Sequence, residues 1–291
     1  MGDKDIAFPH LNIYLTNVPK TFSVFGFQIA LYGCLIATGI LLGLCLASYD
    51  RKSRGLDPNP VWDCALYGII TAIIGARVYY VIFAWDYYKD NLLSIINLRQ
   101  GGLAIYGGVI AAFLTVFIVA RSHKEPVLEL FDSIALGFPV GQAIGRWGNF
   151  FNREAFGDYT DNLLAMRLPL AAVRSWEITD KMKEHITDGV NYIQVHPTYL
   201  YECCWSLCLL LCLFLYRKHK KFSGEVFFLY LLGYGAGRIW IEALRTDQLK
   251  LPVIGVPVSQ VVAGVCIIVS LTVIIFFRIK KGREKITVTG E

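Results

Sequence analysis

The chain has 291 residues, of which 55% are hydrophobic and 18% charged, with a mean hydropathy of +0.48. A soluble domain of this length carries more charge and breaks up its apolar runs, so that class is excluded. The net charge of +5 needs no nucleic-acid partner, because the basic excess falls in loops where membrane topology accounts for it.

The first 21 residues are mixed and polar, with Pro9, His10 and Pro19, and do not read as a signal peptide. Seven apolar runs of membrane-spanning length follow, at about 22–48, 62–84, 102–121, 127–147, 197–216, 222–244 and 252–278. The fourth is weak. It contains Glu129, Asp132, Pro139 and Gln142, so protein or water must line it. The expected fold is all-α: a polytopic integral membrane protein of about seven transmembrane helices, with a small extracytoplasmic head between spans four and five. Residues 1–147 carry spans one to four, 148–196 form the head loop, 197–278 carry spans five to seven, and 279–291 are a basic cytoplasmic tail.

Lysine and arginine set the orientation. One side receives fourteen: Arg51, Lys52, Arg54, Arg121, Lys124, Arg217, Lys218, Lys220, Lys221, Arg278, Lys280, Lys281, Arg283 and Lys285. The short segments of the other side receive six: Lys4, Lys20, Lys89, Arg99, Arg245 and Lys250. The fourteen-charge side is cytoplasmic, so the N-terminus and head face outward and the C-terminus inward. The tail also suits contact with anionic lipid.

An ionisable residue inside a span is costly and marks a functional site by default. Tyr234, Arg238, Glu242 and Arg245 form one helical stripe on span six. Span four ends Gly145-Arg146-Trp147-Gly148-Asn149-Phe150-Phe151-Asn152-Arg153-Glu154, where continued helix puts Arg146, Asn149 and Arg153 on one face. Arg77, Tyr106, His196, Tyr201, Glu202 and Tyr32 fall at a similar depth near the outer ends of their spans. A guanidinium fork suits a phosphate group, and several at headgroup depth point to a phospholipid phosphate. Each residue has a plainer reading: an i,i+4 ion pair for Arg238 and Glu242, a snorkelling Arg77, a helix-start His196, belt aromatics for Tyr32 and Tyr201. Gly233-x-Gly235-x-Gly237 lies mid-helix with no preceding strand, so it is no dinucleotide loop. Cys204, Cys208 and Cys212 share a face but read as small hydrophobes rather than a thiolate site.

The run Gly145-Arg146-Trp147-Gly148-Asn149-Phe150-Phe151-Asn152-Arg153-Glu154-Ala155-Phe156-Gly157 resembles the central motif of the bacterial prolipoprotein diacylglyceryl transferases. Further matches are Tyr32-Gly33, Gly75-Ala76-Arg77, Tyr106-Gly107-Gly108, His196-Pro197-x-x-Leu200-Tyr201-Glu202 and Gly233-Tyr234-Gly235-x-x-Arg238-x-x-x-Glu242. The resemblance implies transfer of the diacylglyceryl group of phosphatidylglycerol to the lipobox cysteine of a preprolipoprotein, at the outer face of the cytoplasmic membrane. It implies no cofactor and no metal, and a monomer is the default. By resemblance Arg146 and Arg238 hold the phosphate, and Asn149, Asn152 and Tyr32 bind headgroup hydroxyls or phosphate oxygens. Glu154 and Glu242 orient the arginines, and Gly157 permits a tight turn. Tyr234, His196, Tyr201, Glu202 and Arg77 complete the substrate-binding set. Many family members carry histidine, a proposed base, where this chain has Tyr106. A neutral phenol is a poor proton acceptor at neutral pH. Tyr106 as phenolate or donor, a base at His196 or Glu202, and a thiol acidified by the arginines alone all remain open.

An anion transporter also accommodates intramembrane arginines and glycine-interrupted helices, but no internal repeat is present. No GxSG, HExxH or D-x-x-D-G pattern occurs, which excludes the corresponding serine protease, zinc protease and alcohol phosphotransferase readings. A catalytically silent lipid-binding scaffold is the remaining alternative.

Overall fold

The computed structural model describes residues 2–98, 101–187, 189–252 and 254–289, with side chains to residue 282. Arg99, counted in the charge asymmetry, lies outside the described residues, as do the side chains of Arg283 and Lys285. In chain order the elements are β1 (Ile6–Phe8), β2 (Ile13–Leu15), β3 (Thr21–Val24), β4 (Phe27–Ala30), α1 (Leu31–Ser53), α2 (Asn59–Phe83), α3 (Trp85–Tyr88), α4 (Ile105–Ser122), α5 (Val127–Ala135), α6 (Gly137–Asn152), β5 (Met166–Pro169), α7 (Asp180–Lys183), β6 (Tyr192–Val195), α8 (Thr198–Tyr216), α9 (Glu225–Leu244) and α10 (Val258–Thr289). Short 3-10 turns connect several of them.

The chain is mostly helical, and by length and composition six of its helical segments can cross a membrane: Leu31–Ser53, Asn59–Phe83, Ile105–Ser122, Val127–Asn152, Thr198–His219 and Val258–Gly282. The remaining predicted span is α9, which has 20 residues but carries Arg238 and Glu242 within its apolar run.

Two compact units make up the chain: Met1–Gly43 with Leu136–Glu291, and Leu44–Ala135. In the first, β2, β1, β5 and β6 form an antiparallel sheet in that order. Ile6, Phe8, Phe150, Phe156, Leu168, Ile193 and Tyr199 are buried together against it. Residues 6–15, which the sequence reading placed ahead of the first span as a polar tail, are thus paired with the 148–196 segment. Burying apolar surface here is what orders the loop.

Two span boundaries differ from expectation. The first helix starts at Leu31 rather than near residue 22, because Thr21–Ala30 form a β-hairpin. Its two turn residues, Phe25 and Gly26, both have positive φ, at 48° and 84°, as the right-handed twist of a two-residue hairpin requires. The weak fourth span is two helices, α5 and α6, broken at Leu136. Pro139 sits in the first turn of α6, where its missing N–H costs nothing.

Glycines set the closest approaches of helices. Within the first unit, a Cβ on Gly43 of α1 would lie 2.7 Å from the carbonyl oxygen of Gly137 in α6. Gly235 of α9 meets the Ala263 carbonyl of α10 equally closely, at 2.8 Å. The Gly233-x-Gly235-x-Gly237 run is therefore a packing surface. Gly43→Ala gains about 1 kcal/mol of helix propensity. It also forces two backbones apart, and overpacking of that kind costs about 1–3 kcal/mol. A lower thermal midpoint is expected for Gly43→Ala in detergent, against an unchanged or higher one for Gly68→Ala, which has nothing within 4 Å.

Candidate active site

Three helix ends of the first unit converge on one carboxylate. Glu202, in the first turns of α8, sits 2.5 Å from Arg146 Nη2 of α6, 3.5 Å from Arg238 Nη1 of α9 and 3.9 Å from Arg245 Nη1 at the end of α9. Glu242 takes Arg238 Nη2 at 2.6 Å and lies 4.0 Å from Arg245 Nη1. Asp247 accepts both prongs of Arg245, at 2.9 Å from Nε and 2.7 Å from Nη2. Three guanidinium groups are thus matched by three carboxylates. All three arginines are largely shielded, at 23%, 15% and 12% exposed for Arg146, Arg238 and Arg245. Shielded charges persist only when paired and hydrogen-bonded, which fixes the geometry of the cluster. Burial opposes ionisation of Asp247, but the two-pronged bond from Arg245 outweighs it and holds the carboxyl below its ordinary range.

A second arm runs from Arg146 along the end of α6. Arg146 Nη1 donates to Asn149 Oδ1 at 3.3 Å, and the amides of Asn149 and Asn152 both donate to Glu154 Oε1 at 3.2 Å. Glu154 Oε2 faces Arg174 at 3.8 Å. Asn149 and Asn152 meet one carboxylate because helix stops at Asn152 and the chain turns back: Arg153 and Ala155 are left-handed, with φ of 56° and 57°. Arg153 therefore leaves the face it was expected to share with Arg146 and Asn149. Its guanidinium instead donates to the carbonyls of Phe151, Lys4 and Val18 at 2.9, 2.5 and 2.6 Å.

The other expected residues divide. The ring of Tyr32 in α1 packs against Gly148, whose missing side chain makes room for it. Tyr234 stacks on Tyr230, ring centres 6.0 Å apart. Tyr201 Oη is 3.2 Å from His196 Nδ1 and accepts from the Asn162 amide at 3.1 Å. Gly157 is not among the positive-φ residues. Its N–H donates to the His196 carbonyl, and a Cβ there would sit 2.8 Å from both His196 Cβ and the Leu244 carbonyl, so glycine is needed for close approach. Glu154 bonds the two asparagines and faces Arg174, while Glu202 takes the orienting role among the arginines. Arg77 and Tyr106 belong to the second unit. There Arg77 spends its donors on backbone carbonyls and has none left for a substrate. Tyr106 is partly exposed in the first turn of α4.

Sequence reasoning left Arg245 out of the site although it continues the Tyr234 stripe, three residues beyond Glu242. Asp247, Arg174 and Asn162 lie off any helical period, and no spacing signal marks them.

A mostly helical chain whose spans gather shielded, carboxylate-paired arginines at their ends defines a membrane protein with a shielded charge cluster. The family model of the prolipoprotein diacylglyceryl transferases matches residues 19–276. Phosphatidylglycerol–prolipoprotein diacylglyceryl transferases of Finegoldia magna, Clostridioides difficile and Bacillus cytotoxicus are similar to it. They are 41%, 41% and 42% identical over 91%, 79% and 87% of this chain, and over 98%, 84% and 89% of their own lengths. The chain belongs to the prolipoprotein diacylglyceryl transferase family, and it is a multi-pass protein of the bacterial inner membrane.

His196 offers a test of this region by pH. Burial, then Lys181, lowers its pKa below the ordinary 6.5. The unfolded chain therefore takes up a proton more readily than the folded one. The stability this imposes is fully present above pH 6.5 and is lost as pH falls from 6.5 through the folded value. A His196→Gln variant is expected to show a smaller drop in thermal midpoint between pH 7.5 and 5.5 than the native protein, measured in detergent.

Proposed function

We propose that this chain transfers the diacylglyceryl group of phosphatidylglycerol to the lipobox cysteine thiol of a prolipoprotein, forming a thioether and releasing glycerol phosphate. The observation that carries this reading is the convergence of Arg146, Arg238 and Arg245 on Glu202. Family membership supports it.

The reaction sets three demands. The thiol must lose its proton, since the thiolate is the nucleophile. Its sulfur then bonds the glycerol carbon that carries the phosphate, and the C–O bond breaks with its electron pair going to the phosphate oxygen. The negative charge gathering on the departing phosphate needs fixed cations nearby in a water-poor site. Arg146 and Arg238 meet the last demand. A phosphodiester reaching them competes with Glu202, and the 3.5 and 3.9 Å contacts of Arg238 and Arg245 yield more readily than the 2.5 Å contact of Arg146. Asn149, Asn152, Glu154 and Tyr32 supply hydrogen-bonding groups for the glycerol headgroup. Glu202 is already engaged with three guanidinium groups, which leaves His196, kept neutral by burial, as the candidate to receive the thiol proton, with Tyr106 as a hydrogen-bond donor and the arginines acidifying the thiol.

The charge asymmetry of the loops supports an orientation with the C-terminus cytoplasmic and the N-terminus, head and site outward, so that the arginines meet the outer-leaflet headgroups.

Purified protein with phosphatidylglycerol and a lipobox peptide is expected to give diacylglyceryl-modified peptide and free glycerol phosphate, both read by mass. Removing one such charge-stabilising group typically costs about a hundredfold to a thousandfold in rate, and Arg146→Ala is expected to fall in that range. No product from folded native protein, or flux of a labelled anion in its place, would overturn the reading. Tyr106→Phe is expected to lower turnover at least tenfold without loss of folding. Tyr106→His restores the residue that many family members carry. It is expected to stay active and to gain an acid limb in its pH–rate profile near the ordinary imidazole pKa of about 6.5. Unchanged turnover in Tyr106→Phe would remove the phenol from the mechanism.

A further inference from the structure

The loop between α2 and α4 does not lie above the helix ends. Arg77 is six residues before the end of α2, about 9 Å along the helix axis. At that level its guanidinium donates to five loop carbonyls: Ile95 at 2.7 Å from Nε, Gly101 and Gly102 at 2.7 and 2.9 Å from Nη1, and Ser94 and Asn97 at 2.8 and 3.3 Å from Nη2. The N–H of Ala104 donates to the carbonyl of Ala76, 3.0 Å away, in the same turn of α2. The loop has therefore folded back along the last two turns of α2. Those turns present Val78, Ile82 and Phe83 outward, all exposed and apolar, so the hydrocarbon layer extends at least that far. Consistent with this, α4 has 18 residues and is about 27 Å long, a little short of the roughly 30 Å hydrocarbon core.

Irregular backbone at that depth is tolerated only when its polar groups are satisfied by protein. Arg77 does this. It is 5% exposed, its fork is saturated, and Tyr88 covers it with the ring centre 5.0 Å from the guanidinium carbon. Gly101 and Gly102 turn their carbonyls inward through positive φ, 80° at each, and any side chain on Gly102 would strike Arg77 and Tyr80. With these five carbonyls turned to Arg77, apolar side chains point out: Leu92, Leu93 and Ile96, the last two 81% and 78% exposed. The preceding stretch carries the exposed Asp86–Lys89 pair and marks the water side.

We infer that Leu92–Leu98 is a lipid-immersed segment that lies in the bilayer against α2, with Leu92, Leu93 and Ile96 in contact with phospholipid acyl chains, and that Arg77 is the positioning residue that makes this immersion possible. The occupant of the surface is lipid, because the segment lies at the depth of helix faces that are themselves lipid-covered. This does not depend on the transferase reading.

The test places a photoreactive benzophenone amino acid at residue 93, or at residue 86, in the otherwise native chain reconstituted in phosphatidylglycerol-containing vesicles. Irradiated protein is digested and its adducts are read by mass spectrometry. Phospholipid adducts are expected at position 93 and at least fivefold fewer at position 86. Equal yields, or peptide cross-links to a second copy in place of lipid at position 93, would overturn the inference. Arg77→Gln in the position-93 background is expected to lower the lipid-adduct yield severalfold as the loop lifts into water, while Arg77→Lys retains part of it. An unchanged yield in folded Arg77→Gln would remove Arg77 from the positioning role and leave only the depth assignment.

Discussion

The structure depends on how a membrane protein keeps a guanidinium group out of water. Each arginine taken from solvent needs its donors met within the chain, because leaving a partnerless charge in a low-dielectric setting costs several kcal/mol. Glu202 answers that need for three arginines at once, and in doing so ties the ends of α6, α8 and α9 together. Glu242 and Asp247 complete the neutralisation. The cluster is thus matched in charge within the chain, three guanidinium groups against three carboxylates.

Two arginine settings of this chain differ in what the guanidinium meets, backbone carbonyls in one and carboxylates in the other. Arg77 has all its donors on backbone carbonyls at close to ideal distance, and Arg153 holds three carbonyls through its two terminal nitrogens while its Nε has no partner. Neither can turn to a ligand without orphaning the backbone groups it serves. Arg238 and Arg245 instead reach Glu202 through contacts of 3.5 and 3.9 Å, too long for good hydrogen bonds. Those two contacts to Glu202 are the loose ones of the cluster, while Glu242 and Asp247 hold the same two arginines more closely.

Much of this was legible in the sequence. Spans three and seven announce themselves as apolar runs with no charge before their last residue, and the Tyr234–Arg238–Glu242 stripe and the Arg146–Glu154 run are conspicuous because charge in such runs needs a reason. What escaped was decided by tertiary partners. Apolar Phe22–Ala30 reads equally as helix or strand, and only the paired positive φ values at Phe25 and Gly26 settle it as a hairpin. Arg153 matched the helical period of Arg146 but left it, because a left-handed residue ends the helix one position earlier. Arg77 matched the depth of the site arginines, and no spacing reveals that a loop about twenty residues downstream would consume its donors. Asp247 follows the end of α9, outside every periodic pattern, and its pairing with Arg245 is a fact of the turn.

The strained turn after α6 shows how the head serves the site. Two non-glycine residues in left-handed conformation, Arg153 and Ala155, cost on the order of 1–3 kcal/mol each. Both are held by contacts outside the turn. Arg153 is fixed through the carbonyls of Lys4 and Val18, which flank the β1–β2 hairpin, and the Ala155 carbonyl accepts from the Thr198 hydroxyl at the start of α8. The strain is what brings Glu154 back beneath Asn149 and Asn152. The N-terminal strands therefore contribute to the site without touching it: they hold the turn that aims the Glu154 carboxylate, and through the asparagines they hold the Arg146 fork.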